Sequence, residues 1–197
     1  MPDPDRDTAR RALDCLEEIA LQKGLDSVSM RDVAARVGIS LSSLQYHYPN
    51  KAALIGAFVR HALAHYRDGV AALILAAEGR AVLPDVLDYA IAKTLKLTEG
   101  GLFALIEARA LHDPATAEAI HGFWCASLEG YAEIIRRDHP TLTPAEALRA
   151  ATLIGSLIEG LASTARAAAT LGLDRPALVA QVKRMALAIP PQILIAR

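Results

Sequence analysis

Apolar residues recur at steps of three and four along almost the whole of this 197-residue chain, and proline, glycine and small capping residues cut the runs apart. Such a pattern leaves room for helices and little else. Ala9, Leu13, Leu16 and Ala20 share one helix face, and Gly24 stands where a left-handed terminating residue is wanted. Residues Met1 to Asp7 show no period and read as a tail. Ser29 and Asp32 form a capping-box pair for a short helix over Met30 to Val37, which Gly38 ends. Ser40 caps a second short helix over Leu41 to Tyr48, closed by Pro49. Asn50 then caps a long helix through Leu54, Phe58, Ala62, Tyr66, Val70, Leu73 and Ala77, ending near Gly79.

Pro84 opens the next helix, to about Leu97, and Gly100-Gly101 separates it from Leu102 to Leu111. Asp113-Pro114 opens one to Arg137, and Thr143-Pro144-Ala145-Glu146 is a capping box for one to Thr170. Asp174 to Ile189 makes the last. The expectation is an all-α fold of about nine helices, without strands or a fixed repeat.

Composition excludes several classes. With 53% hydrophobic and 22% charged residues the chain is no disordered polymer. A net charge of -1 rules out a polycation, so any nucleic-acid contact must come from a local patch. Cys15 and Cys125 lie far apart with no signal-like start before them, which points to a reducing cytoplasm. Arg149 and Glu159, or Lys183, Arg184 and the Pro190-Pro191 pair, break every tract that could span a membrane. Metalloprotease, hydrolase, Walker and dinucleotide signatures are missing, so neither catalysis nor a cofactor is expected. His61 and His65 are four apart, but without a third ligand nearby they read as an ordinary helix face rather than a metal site.

Residues 28–54, V-S-M-R-D-V-A-A-R-V-G-I-S-L-S-S-L-Q-Y-H-Y-P-N-K-A-A-L, have the pattern a helix-turn-helix requires. Val33, Val37, Ile39 and Leu44 supply a small core, Ala34 is small where the helices cross, and Gly38 makes the turn. Leu44 and Tyr48 lie four apart on the inner face. The outer face carries Arg31, Ser40, Leu41, Ser42, Ser43, Gln45, Tyr46, His47 and Lys51. Between Val33 and Arg67 there is no Asp or Glu, against Arg36, Lys51, Arg60, Arg67 and three histidines. Charge alone would fit a solvated face. The capping pair, turn glycine, short second helix and P-N-K together favour a phosphate-lined groove. Arg36, near its helix end, serves either the carbonyls there or DNA.

Over residues 8–60 the segment resembles the DNA-binding domain of the TetR/AcrR family of bacterial one-component transcriptional regulators. The resemblance implies a DNA-binding domain at 1–50 and a helical effector-binding and dimerisation domain at 51–197. It brings Arg31, Leu41 to Ser43 and Gln45 towards base edges, with Ser29 and Ser40 beside them. Tyr46 and His47 would meet base or backbone, and Lys51 a phosphate. Where the family usually has tyrosine this chain has Gln45, which can pair with adenine and lacks the phenol of the usual tyrosine-phosphate contact.

One such motif reads few base pairs, so a homodimer on double-stranded operator DNA is expected. Leu153, Leu157, Gly160, Leu161 and Thr164, with Leu178, Val182 and Met185, are the candidate interface, unless those stripes face their own core. The resemblance also implies a cavity for a small hydrophobic effector, with Tyr66, Tyr89, Glu107, His121, Trp124, Tyr131 and Ser156 as candidate lining residues. Glu107 and Arg109 are not a pair by helical spacing. The expected function is a ligand-released repressor. The alternative is a helical small-molecule-binding or interaction module with no DNA role.

Overall fold

The computed structural model describes residues 4–24, 27–99 and 102–195. Within them the chain forms nine helices and no strand: α1 (Pro4–Lys23), α2 (Met30–Val37), α3 (Leu41–His47), α4 (Lys51–Ala76), α5 (Leu83–Glu99), α6 (Leu102–Ala110), α7 (Pro114–Asp138), α8 (Pro144–Thr170) and α9 (Arg175–Ile195). The Gly100-Gly101 break and the first three residues of the expected tail lie outside the described residues. The rest of that tail is helical. Pro4 occupies the first helical position, where its missing N–H is no loss. Packing divides the chain into two compact units: the described residues of 1–65 with 99–121, and of 66–98 with 122–197.

In the N-terminal unit, α1 buries Ala12, Leu13, Leu16, Ile19 and Ala20 and packs on α2 and α3. The Ser29 hydroxyl accepts the Asp32 N–H at 3.0 Å, the hydroxyl half of the expected box. Gly38 adopts φ 78°, and its N–H donates to the Ala34 and Ala35 carbonyls at 3.0 and 3.2 Å. The last α2 carbonyl, that of Val37, accepts at 2.9 Å from the guanidinium of Arg11 on α1, while Arg36 stays exposed. The carbonyl-capping role considered for Arg36 at Val37 is thus filled from another helix. Ser40 caps α3 by accepting from Ser43 N–H at 3.0 Å. Val33, Ala34, Val37 and Leu44 are buried, Ile39 half so. Tyr48 just follows α3, and its hydroxyl donates to the Ala9 carbonyl at 3.1 Å.

Asn50 opens α4 by accepting from Ala53 N–H at 2.9 Å. Leu54, Ile55, Phe58 and Val59 are buried in this same unit, so packing does not break at residue 50, where the helix-turn-helix ends. Asp113 caps α7: its carboxylate accepts from the Thr116 hydroxyl at 2.6 Å and from Arg109 Nε at 3.2 Å. The Thr116 hydrogen bond first, and the Arg109 charge with it, hold that carboxyl below its ordinary range.

In the C-terminal unit α8 is the central element. Its capping box is complete, with Thr143 N–H donating to Glu146 Oε2 at 2.8 Å and Glu146 N–H to Thr143 Oγ1 at 3.3 Å. Small buried residues on one face, Ala147, Ala150, Ala151, Ala162 and Ala165, let neighbouring helices approach around Ile154 and Ile158. The α5 start is capped from far along the chain: Asp138 Oδ2 accepts from Val82 and Leu83 N–H, each at 2.9 Å. Lys183 of α9 pairs with Asp88 of α5 at 2.6 Å. Contrary to the expected end at Ile189, α9 continues through Pro190 and Pro191 to Ile195. Two prolines remove two backbone donors there, but burial of Pro190 and packing of Ile189 and Ile193 on the core keep the helix going.

Gly38→Ala is expected to destabilise the N-terminal unit by about 1–2 kcal/mol, because a Cβ is disfavoured at a left-handed φ even where space is open. Gly56→Ala, inside α4 with only the flexible end of Arg60 nearby, is expected to stabilise it by up to ~1 kcal/mol. Urea unfolding followed by helical circular dichroism checks both signs.

Candidate functional site

Two assemblies of polar and aromatic groups stand out, one in each unit. In the N-terminal unit the turn at Gly38 and the cap at Ser40 set α3 so that Leu44 points inward and the opposite face points to solvent. Ser40, Ser42, Gln45 and Tyr46 are exposed, as is Arg31 on α2, while Ser29, Leu41, Ser43, His47 and Lys51 are half-buried. All ten expected DNA-side residues therefore belong to α2, α3 or their caps and the start of α4. The Ser40 and Ser42 hydroxyls are 2.9 Å apart. Tyr46 is 77% exposed, with its ring edge on His47 at a centroid distance of 5.2 Å, so it serves no core. No carboxylate interrupts residues 33–67, and the cations Arg31 of α2 and Lys51 of α4 neighbour α3 in the chain. His61 Nε2–H donates to Asp14 Oδ1 at 2.8 Å, and no group of three metal-binding side chains occurs among the described residues.

In the C-terminal unit the phenols of Tyr66 on α4 and Tyr131 on α7 are hydrogen-bonded to each other in the interior. Tyr89 and Phe123 pack on Tyr66 with ring centroids at 5.6 and 5.5 Å, and Trp124 packs on Phe123 at 5.4 Å. Gly69 makes room for this: a Cβ there would overlap the Tyr89 ring. Beside the tyrosine pair lies an apolar cavity of about 200 Å³, walled by Val70 and Ile74 of α4 and Ala126 and Gly130 of α7, with Arg67 at its rim. Ser127 also lines it, and its buried hydroxyl has no partner among the described residues. Burial raises both phenols, Tyr131 to about 12, and the Glu159 carboxylate pushes each the same way.

The candidate effector residues thus divide. Tyr66 and Tyr131 line one cavity, with Tyr89 and Trp124 in the surrounding aromatic cluster. Glu107 and His121 belong to the other unit and are exposed there. Ser156 lies instead in a groove between α8 and α9 with Leu153, Leu157 and Met185, its hydroxyl donating to the Thr152 carbonyl at 2.9 Å. On that α8–α9 face Leu153 and Met185 are 47% and 49% exposed, Gly160 and Thr164 are exposed, and Leu157, Leu178 and Val182 are half-buried. Leu161 departs from the expectation: it is buried in its own core, because it shares the inward face with Ile154, Ile158 and Ala165. Arg67, Ser127, Gly130 and Phe123 were missed by sequence reasoning. The only signal was the spacing of 127 and 130 against Tyr131, which any helix face could show.

Residues 13–58 match the family profile described as bacterial regulatory proteins, tetR family. No curated protein sequence matches the chain at a significant level. Among solved structures it is similar to a TetR transcription regulator from Haloarcula marismortui, at 16% identity over 95% of this chain and 98% of that one, with a TM-score of 0.76. A candidate TetR-family regulator from Mesorhizobium loti gives 20% identity, 98% of both chains and a TM-score of 0.77. A Saccharomonospora viridis structure holding choline gives 17% identity, 93% and 95% coverage and a TM-score of 0.68. At such identities the likeness is one of fold.

The tyrosine pair makes a pH prediction. An unfolded tyrosine ionises near pH 10. Because the fold raises these two phenols, the stability they contribute is complete below about pH 10 and is lost as pH rises through about 12, the Tyr131 value. Absorbance at 295 nm should therefore show Tyr66 and Tyr131 still protonated at about pH 11 in the folded chain. Tyr131→Phe, which leaves the Tyr66 hydroxyl without its partner, should cost about 1–3 kcal/mol, and adding Tyr66→Phe should cost less than a second such loss.

Proposed function

We propose, from the match of residues 13–58 to the tetR family of bacterial regulatory proteins, that the chain is a repressor of that family, released from a palindromic operator by a small hydrophobic effector. The observation that carries this reading is the outer face of α3: hydroxyl, amide and aromatic groups on a helix whose inner face packs Leu44 into the core, with Arg31 of α2 and Lys51 of α4 as the neighbouring cations. In this reading Arg31, Leu41, Ser42, Ser43 and Gln45 meet base edges in the major groove. Ser29, Ser40, Tyr46 and His47 contact backbone or base, and Lys51 binds a phosphate. Gln45 is suited to pair with adenine N6 and N7.

A second copy docks through α8 and α9, where Leu153, Leu157, Gly160, Thr164, Leu178, Val182 and Met185 present a partly apolar face. The dimer sets two copies of α3 about 34–36 Å apart on successive major grooves. The effector occupies the cavity beside Tyr66 and Tyr131. The similar structure that holds choline supports small-molecule binding by this fold without identifying the molecule bound here. Helix α4 begins at Lys51 and carries Tyr66, Val70 and Ile74 of the cavity, so one continuous element holds both a DNA-side residue and effector-side residues. A coupling of about 1–3 kcal/mol along it changes operator affinity by about 5- to 150-fold, and operator must weaken effector binding by the same factor.

Fluorescence anisotropy on genomic fragments selected by the protein tests the reading. Affinity is expected to fall steeply with salt. Lys51→Ala should weaken binding to all duplexes and lower the salt slope by about one, while Gln45→Ala should relax preference at one position of each half-site by roughly 1–3 kcal/mol. A chain that bound no duplex better than random competitor would instead be a helical small-molecule-binding module.

A further inference from the structure

The cavity beside the tyrosine pair carries information about the chemistry of its ligand. Hydroxyls inside helices usually donate to the carbonyl four residues back. Thr152, Ser156, Thr164 and Thr170 of α8 all do so, at 2.7–3.0 Å. Ser127 of α7 does not: its oxygen is buried in the cavity lining and has no partner among the described residues. A donor held out of its own helix and away from water has a use for an acceptor that enters the cavity.

Two further donors converge on the same space. The hydrogen bond between the Tyr66 and Tyr131 hydroxyls uses one of their two protons, so the other phenol O–H is left to donate. Arg67 is the charged residue of the lining; among the described residues no carboxylate lines this cavity, and no described residue pairs with the Arg67 guanidinium. The remaining walls are apolar. At about 200 Å³ the space is smaller than the roughly 300–1,000 Å³ of a drug-sized site.

From this lining, in which Arg67 is the one charged residue among the described residues, we infer that the ligand of the Tyr66–Tyr131 cavity is a small carboxylate with an apolar body, an alkyl acid of up to about eight carbons or a single-ring aryl acid. The acid group takes hydrogen bonds from Ser127 Oγ and the spare phenol and faces the Arg67 guanidinium. The apolar body lies along Val70 and Ile74. A quaternary ammonium of equal size could take none of these hydrogen bonds and would meet the Arg67 charge; the Glu159 carboxylate that acts on both phenols is not part of the lining. This inference rests on the reading of the cavity as the effector site.

Three probes of similar size test it on the full-length protein: octanoate, 1-octanol and pentyltrimethylammonium, titrated at low ionic strength by calorimetry. The chain's single tryptophan, Trp124, stacked on Phe123, which in turn packs on Tyr66, gives a fluorescence readout as well. Octanoate is expected to bind at least about ten-fold more tightly than octanol, and the ammonium more weakly than either. Because Arg67 is exposed, that preference should shrink with added salt. Arg67→Met should remove most of the octanoate-to-octanol ratio, and Ser127→Ala should weaken octanoate more than octanol.

Gly130→Leu provides the control on the site. A Cβ at Gly130 meets no protein atom within 4 Å, so the new side chain fills the cavity rather than breaking the fold. It is expected to abolish binding of all three probes. If octanol or the ammonium bound as tightly as octanoate in the wild type, yet Gly130→Leu blocked them, the carboxylate assignment would be overturned and the cavity reading kept. If none of the probes bound, or Gly130→Leu changed nothing, both would fall.

Discussion

The left-handed turn at Gly38 is the constraint on which the DNA-side face depends. With φ at 78° it stops α2 after eight residues and turns the chain so that Ser40 can start α3 three residues after Val37. A helix as short as α3 has little stability of its own. It is held instead by Leu44 in the core, by Arg11 closing the α2 carbonyl end and by Tyr48 tied to the Ala9 carbonyl. All three fixings use the inner side and the ends. That is why Gln45, Tyr46 and Ser42 remain on the outside.

The C-terminal unit solves a different problem. Its core is built around α8, whose alanines permit close packing, while α4 and α7 meet through the hydroxyl pair of Tyr66 and Tyr131. Polar groups placed so deep specify an arrangement more than they stabilise it. The space they leave next to Gly130 and Ser127 is small, apolar and rich in donors. A ligand that accepts those hydrogen bonds bears directly on α4, the helix whose first residue is Lys51.

Most of the fold was legible in the sequence because its boundaries are written in local chemistry. Thr143 and Glu146, Asp113, Asn50 and Gly38 each act within four residues of where they stand, and the helices begin or end beside them as expected. What could not be read was settled over long separations. Asp138 caps a helix 55 residues earlier, and Arg11 closes one 26 residues later. The Pro190-Pro191 pair fails to stop α9 because tertiary packing outweighs the two lost donors. The same division holds for the sites. The helix-turn-helix is a local motif whose helices and caps stand where the spacing put them, whereas the cavity forms between α4 and α7, where Tyr66 and Tyr131 are joined by Ser127, Gly130 and Arg67, while Glu107, His121 and Ser156 lie elsewhere.

The direct measurement of the central claim is to attach an iron-chelate DNA-cleaving group to the outer face of α3 and map where it cuts. Ser42→Cys supplies the attachment point; Cys125→Ser removes the exposed thiol, and Cys15 is half-buried with its thiol raised by burial. On a selected genomic fragment the account predicts two clusters of major-groove cleavage, about 34–36 Å apart along the duplex. Cleavage scattered evenly along the fragment, or none on a fragment the protein demonstrably binds, would contradict it.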